Sequence, residues 1–163
     1  MAIDAAAELA AWTRRCASMY AKDLRALSDE AYLRPCGDKV RSMQEVTAEV
    51  AGYNMMVAGI LQGQAPAMPS EEQRAAYTAS LDTREKGVEA VLASANALAD
   101  AVLAAGDGLE TMSTAPWGEE MSLFVMANIA ANHILYHDGQ LNIVQCIHGD
   151  PAMHWFDPDP VVA

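Results

Sequence analysis

Asn132-His133-Ile134-Leu135-Tyr136-His137-Asp138-Gly139-Gln140-Leu141 is the stretch on which the reading of this chain turns. Its two histidines stand four residues apart, about 400° around a helix axis, so both rings leave the same side one turn apart. That spacing lets two imidazole nitrogens converge on a single ion. Steps of three and four extend the stripe through Met126, Ala130, His133, His137, Gln140, Val144 and Ile147. The histidines thus occupy the inward seam, where an ordinary helix would carry Leu or Ile. A buried imidazole costs free energy unless it finds a partner. A metal ion would answer that cost, and so would a pair of mutually hydrogen-bonded core histidines.

Outward from this stretch, every long periodic segment repeats at three to four residues. Residues 3–27 place Leu9, Trp12, Cys16, Met19 or Tyr20, Leu24 and Leu27 on one face. Residues 28–39, with Pro35, Gly37 and Asp38, read as a long connecting loop. Ser42 opens a second helix as N-cap, with Glu45 completing a capping box. Met43, Val46, Val50, Tyr53, Val57 and Ile60 form its buried face, and Gly63, Pro66 and Pro69 end it. Glu49 falls about 60° from the centre of that face, within reach of the interior or of solvent.

A third helix begins near Ser70, again with a capping pattern, and holds its register through Tyr77, Leu81, Val88, Val91, Ala95, Leu98, Val102 and Ala105. Arg84 is the one odd residue in that seam, placed either to meet an inner carboxylate or to snorkel outward. After a loop containing Ser113, Pro116, Trp117 and Gly118, a fourth helix spans residues 119–147 and carries the histidines. It is apolar on more than one side, with Leu123, Phe124, Val125 and Ile134 outside the histidine stripe, so neighbours or a second subunit should cover it. His148 shares the histidine face but lies about 16 Å further along the axis, too far to share an ion. Residues 150–163 read as an extended tail packed by Trp155 and Phe156, with His154 at the surface.

The chain has 163 residues, 52 % hydrophobic and only 6 % aromatic, enough for one well-cored domain. Ala and Met supply much of the apolar content, and Val, Ile and Thr form no alternating runs, so the expected fold class is all-α. A net charge of −12, from 22 acids and 10 bases, argues against nucleic acid and anionic membranes as partners. Cys16, Cys36 and Cys146 offer no disulfide framework, which suits a cytoplasmic protein, and Cys16 and Cys146 read as small core residues. No basic leader precedes an apolar segment at the N-terminus, and no apolar run approaches a membrane span in length.

The motif His133-x-x-x-His137-x-Gly139-Gln140-Leu141, followed by Gly149, resembles the DinB-like (YfiT-type) superfamily. The string Ser42-Met43-Gln44-Glu45-Val46-Thr47-Ala48-Glu49-Val50 is similar to that family's second helix. The resemblance covers residues 1–149. It implies a four-helix bundle of down-up-up-down type with long connecting loops, often a homodimer, holding one divalent ion on three helix-borne ligands. Two of those ligands correspond to His133 and His137. The third, usually a histidine, corresponds here to Glu49, which would make a two-histidine, one-carboxylate set suited to Zn, Ni or Fe. The resemblance further implies a thiol-dependent S-transferase that uses a low-molecular-weight thiol against a small-molecule substrate. A metal-dependent hydrolase, with Tyr53, Asn54 or Gln140 as polar helpers around the ligands, and a non-catalytic dimer with structural histidines are the alternatives.

Overall fold

The computed structural model describes residues 3–158. It is mainly helical. Helix α1 (Ala5–Ala26) starts where the Asp4 carboxylate accepts the Ala7 N–H, an N-cap that satisfies an otherwise orphaned donor. The short α2 (Asp29–Leu33) is capped by Ser28. Helix α3 (Met43–Leu61) opens with the capping box of Ser42 and Glu45 expected from the sequence. Helix α4 (Glu71–Ser80) opens with a second box, Ser70 and Gln73. Helices α5 (Arg84–Ala105) and α6 (Leu123–Ile147) complete the frame. A 3-10 turn (Gly106–Glu110) and an antiparallel hairpin of β1 (Met112–Thr114) and β2 (Glu120–Ser122) connect those last two.

The four long helices enclose the core, with α1 and α3 each packed against both α5 and α6. One end of the core gathers Cys16, Tyr20, Leu24, Tyr32, Val50, Val91, Ile134 and Leu141. The other gathers Val57, Leu98, Val102, Met126 and a run of alanines at 127, 130 and 131. Each fully buried Leu or Ile contributes about 1.5–3 kcal/mol of transfer free energy. Some buried polar groups are paired between helices, as where the Tyr20 hydroxyl lies 2.9 Å from Thr47 Oγ1 across the α1–α3 junction.

Several expectations need correction. The third helix is not continuous, because residues 81–83 interrupt it between α4 and α5. Tertiary donors end α4: the Tyr32 hydroxyl donates to Leu81 O at 3.2 Å, and Gln44 Nε2 donates to Thr78 O at 3.0 Å. Thr83 then caps α5 by accepting the Lys86 N–H. Arg84 consequently lies at a helix start, where its guanidinium donates to the Arg25 and Leu27 carbonyls at the end of α1. It neither enters the core to meet a carboxylate nor runs free into solvent. The loop expected over residues 28–39 contains α2, nucleated by its Ser28 cap. The fourth helix begins at Leu123 and not at residue 119, since the preceding residues pair as the small hairpin.

Cys16 is buried as expected, whereas Cys146 is exposed, because it lies on the outward face of α6, about 200° around the axis from buried Val144. Ile147, the last residue of the inward stripe, is 59 % exposed at the very end of the helix. Residues 84–110 form one stretch long and apolar enough by length and composition to cross a membrane, with a mean hydropathy of 1.5 in its best window. That differs from the sequence expectation. Here α5 packs between α1 and α3, as a core helix of that composition does.

Candidate metal centre

The inward stripe of α6 and the shoulder of α3 meet at His133, His137 and Glu49. His137 is buried on α6, and its Nδ1 sits 2.8 Å from Gln140 Oε1, one turn onward. With Gln140 Oε1 as the acceptor at Nδ1, the neutral His137 ring would keep its Nε2 lone pair for an ion. That Nε2 lies 3.0 Å from His133 Nε2 and 3.5 Å from Glu49 Oε1, and His133 Nε2 lies 3.4 Å from the same oxygen. Two atoms bound to one ion at about 2.1 Å stand roughly 3.0 Å apart in octahedral geometry and roughly 3.4 Å in tetrahedral geometry. The three donors therefore fit a single divalent ion, and Gln140 supplies the outer hydrogen bond that orients a ligating histidine.

The charges agree with this reading. Burial alone would raise the Glu49 carboxyl, but the hydrogen bond and charge of Arg41, with the two histidines, hold it below the usual carboxylate range. Burial, then the neighbouring His137, lowers the His133 imidazole, against the pull of Glu49. Glu49 is thus ionised and His133 neutral at neutral pH, the protonation states that metal ligation requires. Exposure rises from 2 % at the His137 side chain through 20 % at His133 to 41 % at Glu49. The site is closed on the α6 side and opens to solvent past Glu49.

Neighbouring side chains shape that opening. Arg41, just before α3, donates from Nη1 to Glu49 Oε2, the carboxylate oxygen turned away from the histidines. Tyr53, one turn past Glu49, packs its ring 4.8 Å from His133 and stacks on Trp117 at 6.2 Å. Trp117 comes from the turn of the hairpin and is 48 % exposed. Asn54, a polar helper in the sequence reading, faces elsewhere and donates to Ser94 Oγ on α5 at 3.3 Å. His148 caps the end of α6, apart from the group. Compared with protein-family models and with curated proteins, the sequence matches none.

Arg41 and Trp117 carry no signal as site residues in the sequence, because both sit in loops whose paths the helical periodicity does not fix. A second unforeseen cluster lies behind the histidines. Asp23 of α1 and Asp138 of α6 are both wholly buried, and the Trp155 indole N–H reaches both carboxylates, at 2.8 and 2.9 Å. Asn142 Nδ2 and the His154 N–H also donate to Asp23. Burial, and then the charge of Asp23, raises the Asp138 carboxyl well above its ordinary value. Trp155 is therefore pinned to its own chain. His154, which the sequence placed at the surface, is partly buried and lies between Asp150 and Asp157.

Proposed function

We propose that this chain is a DinB-like four-helix bundle that binds a divalent metal through Glu49, His133 and His137. The supporting observation is the convergence of three donor atoms from α3 and α6 within 3.0–3.5 Å of one another, with Gln140 Oε1 placed at His137 Nδ1. We further propose that the bound site serves a thiol-dependent S-transferase. A divalent ion at this position would stabilise a coordinated thiolate and leave open positions on the solvent side. The side chains favour a nucleophile that brings its own acidic proton. Among the described residues, every carboxylate and imidazole gathered here serves as a ligand, and burial pushes the Tyr53 phenol up to about 12, too high for a base at neutral pH. Hydrolysis would use water that the ion itself acidifies, and among the described residues no further carboxylate or imidazole stands in this group to relay its proton to the leaving group. A thiol loses its proton near neutrality, and its sulfur then forms the new S–C bond while the leaving group departs with its electron pair.

The test joins metal analysis with turnover. Untagged protein, dialysed and measured by inductively coupled plasma mass spectrometry, should retain about one divalent ion per chain. Consumption of a small electrophile should then require both that ion and an added low-molecular-weight thiol. Turnover without thiol would favour the hydrolase, and a metal-free, normally folded protein would favour structural histidines.

We also propose that two copies of the chain pair through α6. The exposed positions of this helix are Phe124, Val125, Ile129, Asn132, Tyr136, Gly139, Ile143, Cys146 and Ile147, none of them charged. From Val125 to Cys146 they recur at spacings of three and four, the seam of a helix–helix contact. In a chain of net charge −12, this uncharged face is where two identical molecules can approach with least repulsion.

A further inference from the structure

Glu49 divides its two carboxylate oxygens between different partners. Oε1 lies 3.4 Å from His133 Nε2 and 3.5 Å from His137 Nε2, whereas Oε2 accepts from Arg41 Nη1. Arg41 immediately precedes Ser42, whose backbone N–H and hydroxyl both donate to Glu45 Oε2 in the capping box of α3. The guanidinium therefore extends from an anchored point of the backbone. It serves Glu49 much as Gln140 serves His137, where Oε1 of the amide sits 2.8 Å from Nδ1 of the ring. Each of these two donors thus has its other polar atom occupied by a neighbour outside the set of three.

A carboxylate can ligate a divalent ion through one oxygen or through both. A guanidinium N–H on one oxygen competes for that oxygen's lone pairs, and its positive charge opposes a cation there. We infer, on the metal reading proposed above, that Arg41 is a positioning residue that keeps Glu49 a one-oxygen ligand. The chain then supplies three donor atoms, Glu49 Oε1 and the two histidine Nε2 atoms. Three protein ligands are the number that leaves a position open for a reacting group. Without Arg41, Oε2 is free to turn to the ion as a fourth donor and take up such a position. The side chains of Arg41 and Glu49 are 48 % and 41 % exposed, so their pairing contributes little to stability. Its effect falls on how Glu49 ligates.

The experiment titrates the full chain with cobalt(II), whose visible absorption per bound ion falls as its coordination number rises. Arg41→Met should lower that absorption at saturation, as Oε2 joins the ion. It should also tighten cobalt binding by about fivefold or more, because a donor is gained and a nearby positive charge is lost. Arg41→Lys, which keeps a cationic donor beside Oε2, should restore much of the wild-type spectrum. Circular dichroism should show the same helical content in all three proteins. If cobalt binds wild type and Arg41→Met leaves the spectrum unchanged, the inference fails while the metal site stands. Weaker binding in Arg41→Met would mean that Arg41 holds the carboxylate in place instead of withholding an oxygen, and would overturn the inference. So would a spectrum for Arg41→Lys shifted as far as that of Arg41→Met. If wild type takes up no cobalt, the metal reading fails and takes the inference with it.

Discussion

His133 and His137 are the residues that α6 can present jointly to an ion, and Glu49 completes the set from another helix. Binding should therefore bridge α3 and α6, raising the stability of the folded chain by about 2.7 kcal/mol when free metal stands a hundredfold above Kd. His133→Ala and His137→Ala should each remove most of that metal-dependent rise in Tm, and Glu49→Gln should weaken it. His148→Ala should leave it unchanged. Equal stabilisation of wild type and the double histidine variant in a thermal-shift titration would defeat the assignment. Asp138 gives a separate prediction with a definite sign. Its folded pKa is raised, so the folded chain keeps a proton that the unfolded chain has released. The stability it contributes is complete below the unfolded value of about 3.9 and is lost as pH rises through the folded value. Asp138→Asn, permanently neutral, should thus melt above wild type at neutral pH, with a gap that widens as pH rises. Parallel melts across that range check it, and a constant gap would contradict a buried neutral acid.

Two helical glycines distinguish propensity from packing. On α5, a Cβ added at Gly87 would lie 2.6 Å from the Tyr32 hydroxyl. Tyr32 is fully buried and bonded to Leu81 O, so it cannot swing aside. Gly87→Ala should destabilise by about 1–3 kcal/mol, the usual cost of overpacking. A Cβ at Gly52 on α3 meets nothing within 4 Å, so Gly52→Ala should gain up to about 1 kcal/mol from helix propensity alone. Urea denaturation of the two variants measures both signs. If Gly87→Ala were also stabilising, the contact that joins α2 to the start of α5 would not be a close one. The same contact matters for the chain's path, since Tyr32 helps to end α4 and so sets where α5 begins.

For the molecule as a whole, the uncharged face of α6 is the surface that most needs covering. Trp155 is held by Asp23 and Asp138 within its own chain. Tyr136, Ile143 and Ile147 are each about three-fifths exposed or more, and they lie on one stripe. Analytical ultracentrifugation should show a dimer, and Tyr136→Glu with Ile143→Glu should give a monomer of unchanged helical content. Introducing four carboxylates into a two-fold contact, two from each copy, sets like charges against one another with no partner. A wild-type monomer at every concentration would reject the pairing.

The sequence by itself determined the helical class, the caps and most of the inward stripes, though Trp12, Tyr77 and Ile147 on those stripes are exposed, because all three depend on near neighbours along the chain. Ser42 with Glu45, and Ser70 with Gln73, act within one turn, and the four-residue step from His133 to His137 fixes their common face whatever surrounds them. Glu49 was legible only as a shoulder position on its helix. Its meeting with the histidines depends on how α3 and α6 are rotated and set against each other, which no local pattern encodes. The break at residues 81–83 was hidden for a related reason: its hydrogen-bond donors, Tyr32 and Gln44, lie tens of residues upstream. Arg41, Trp117 and the Asp23–Asp138–Trp155 cluster likewise join segments distant in sequence. Loop paths and long-range polar pairs are decided by packing, where a hydrogen bond is chosen among whatever groups the folded core brings within reach.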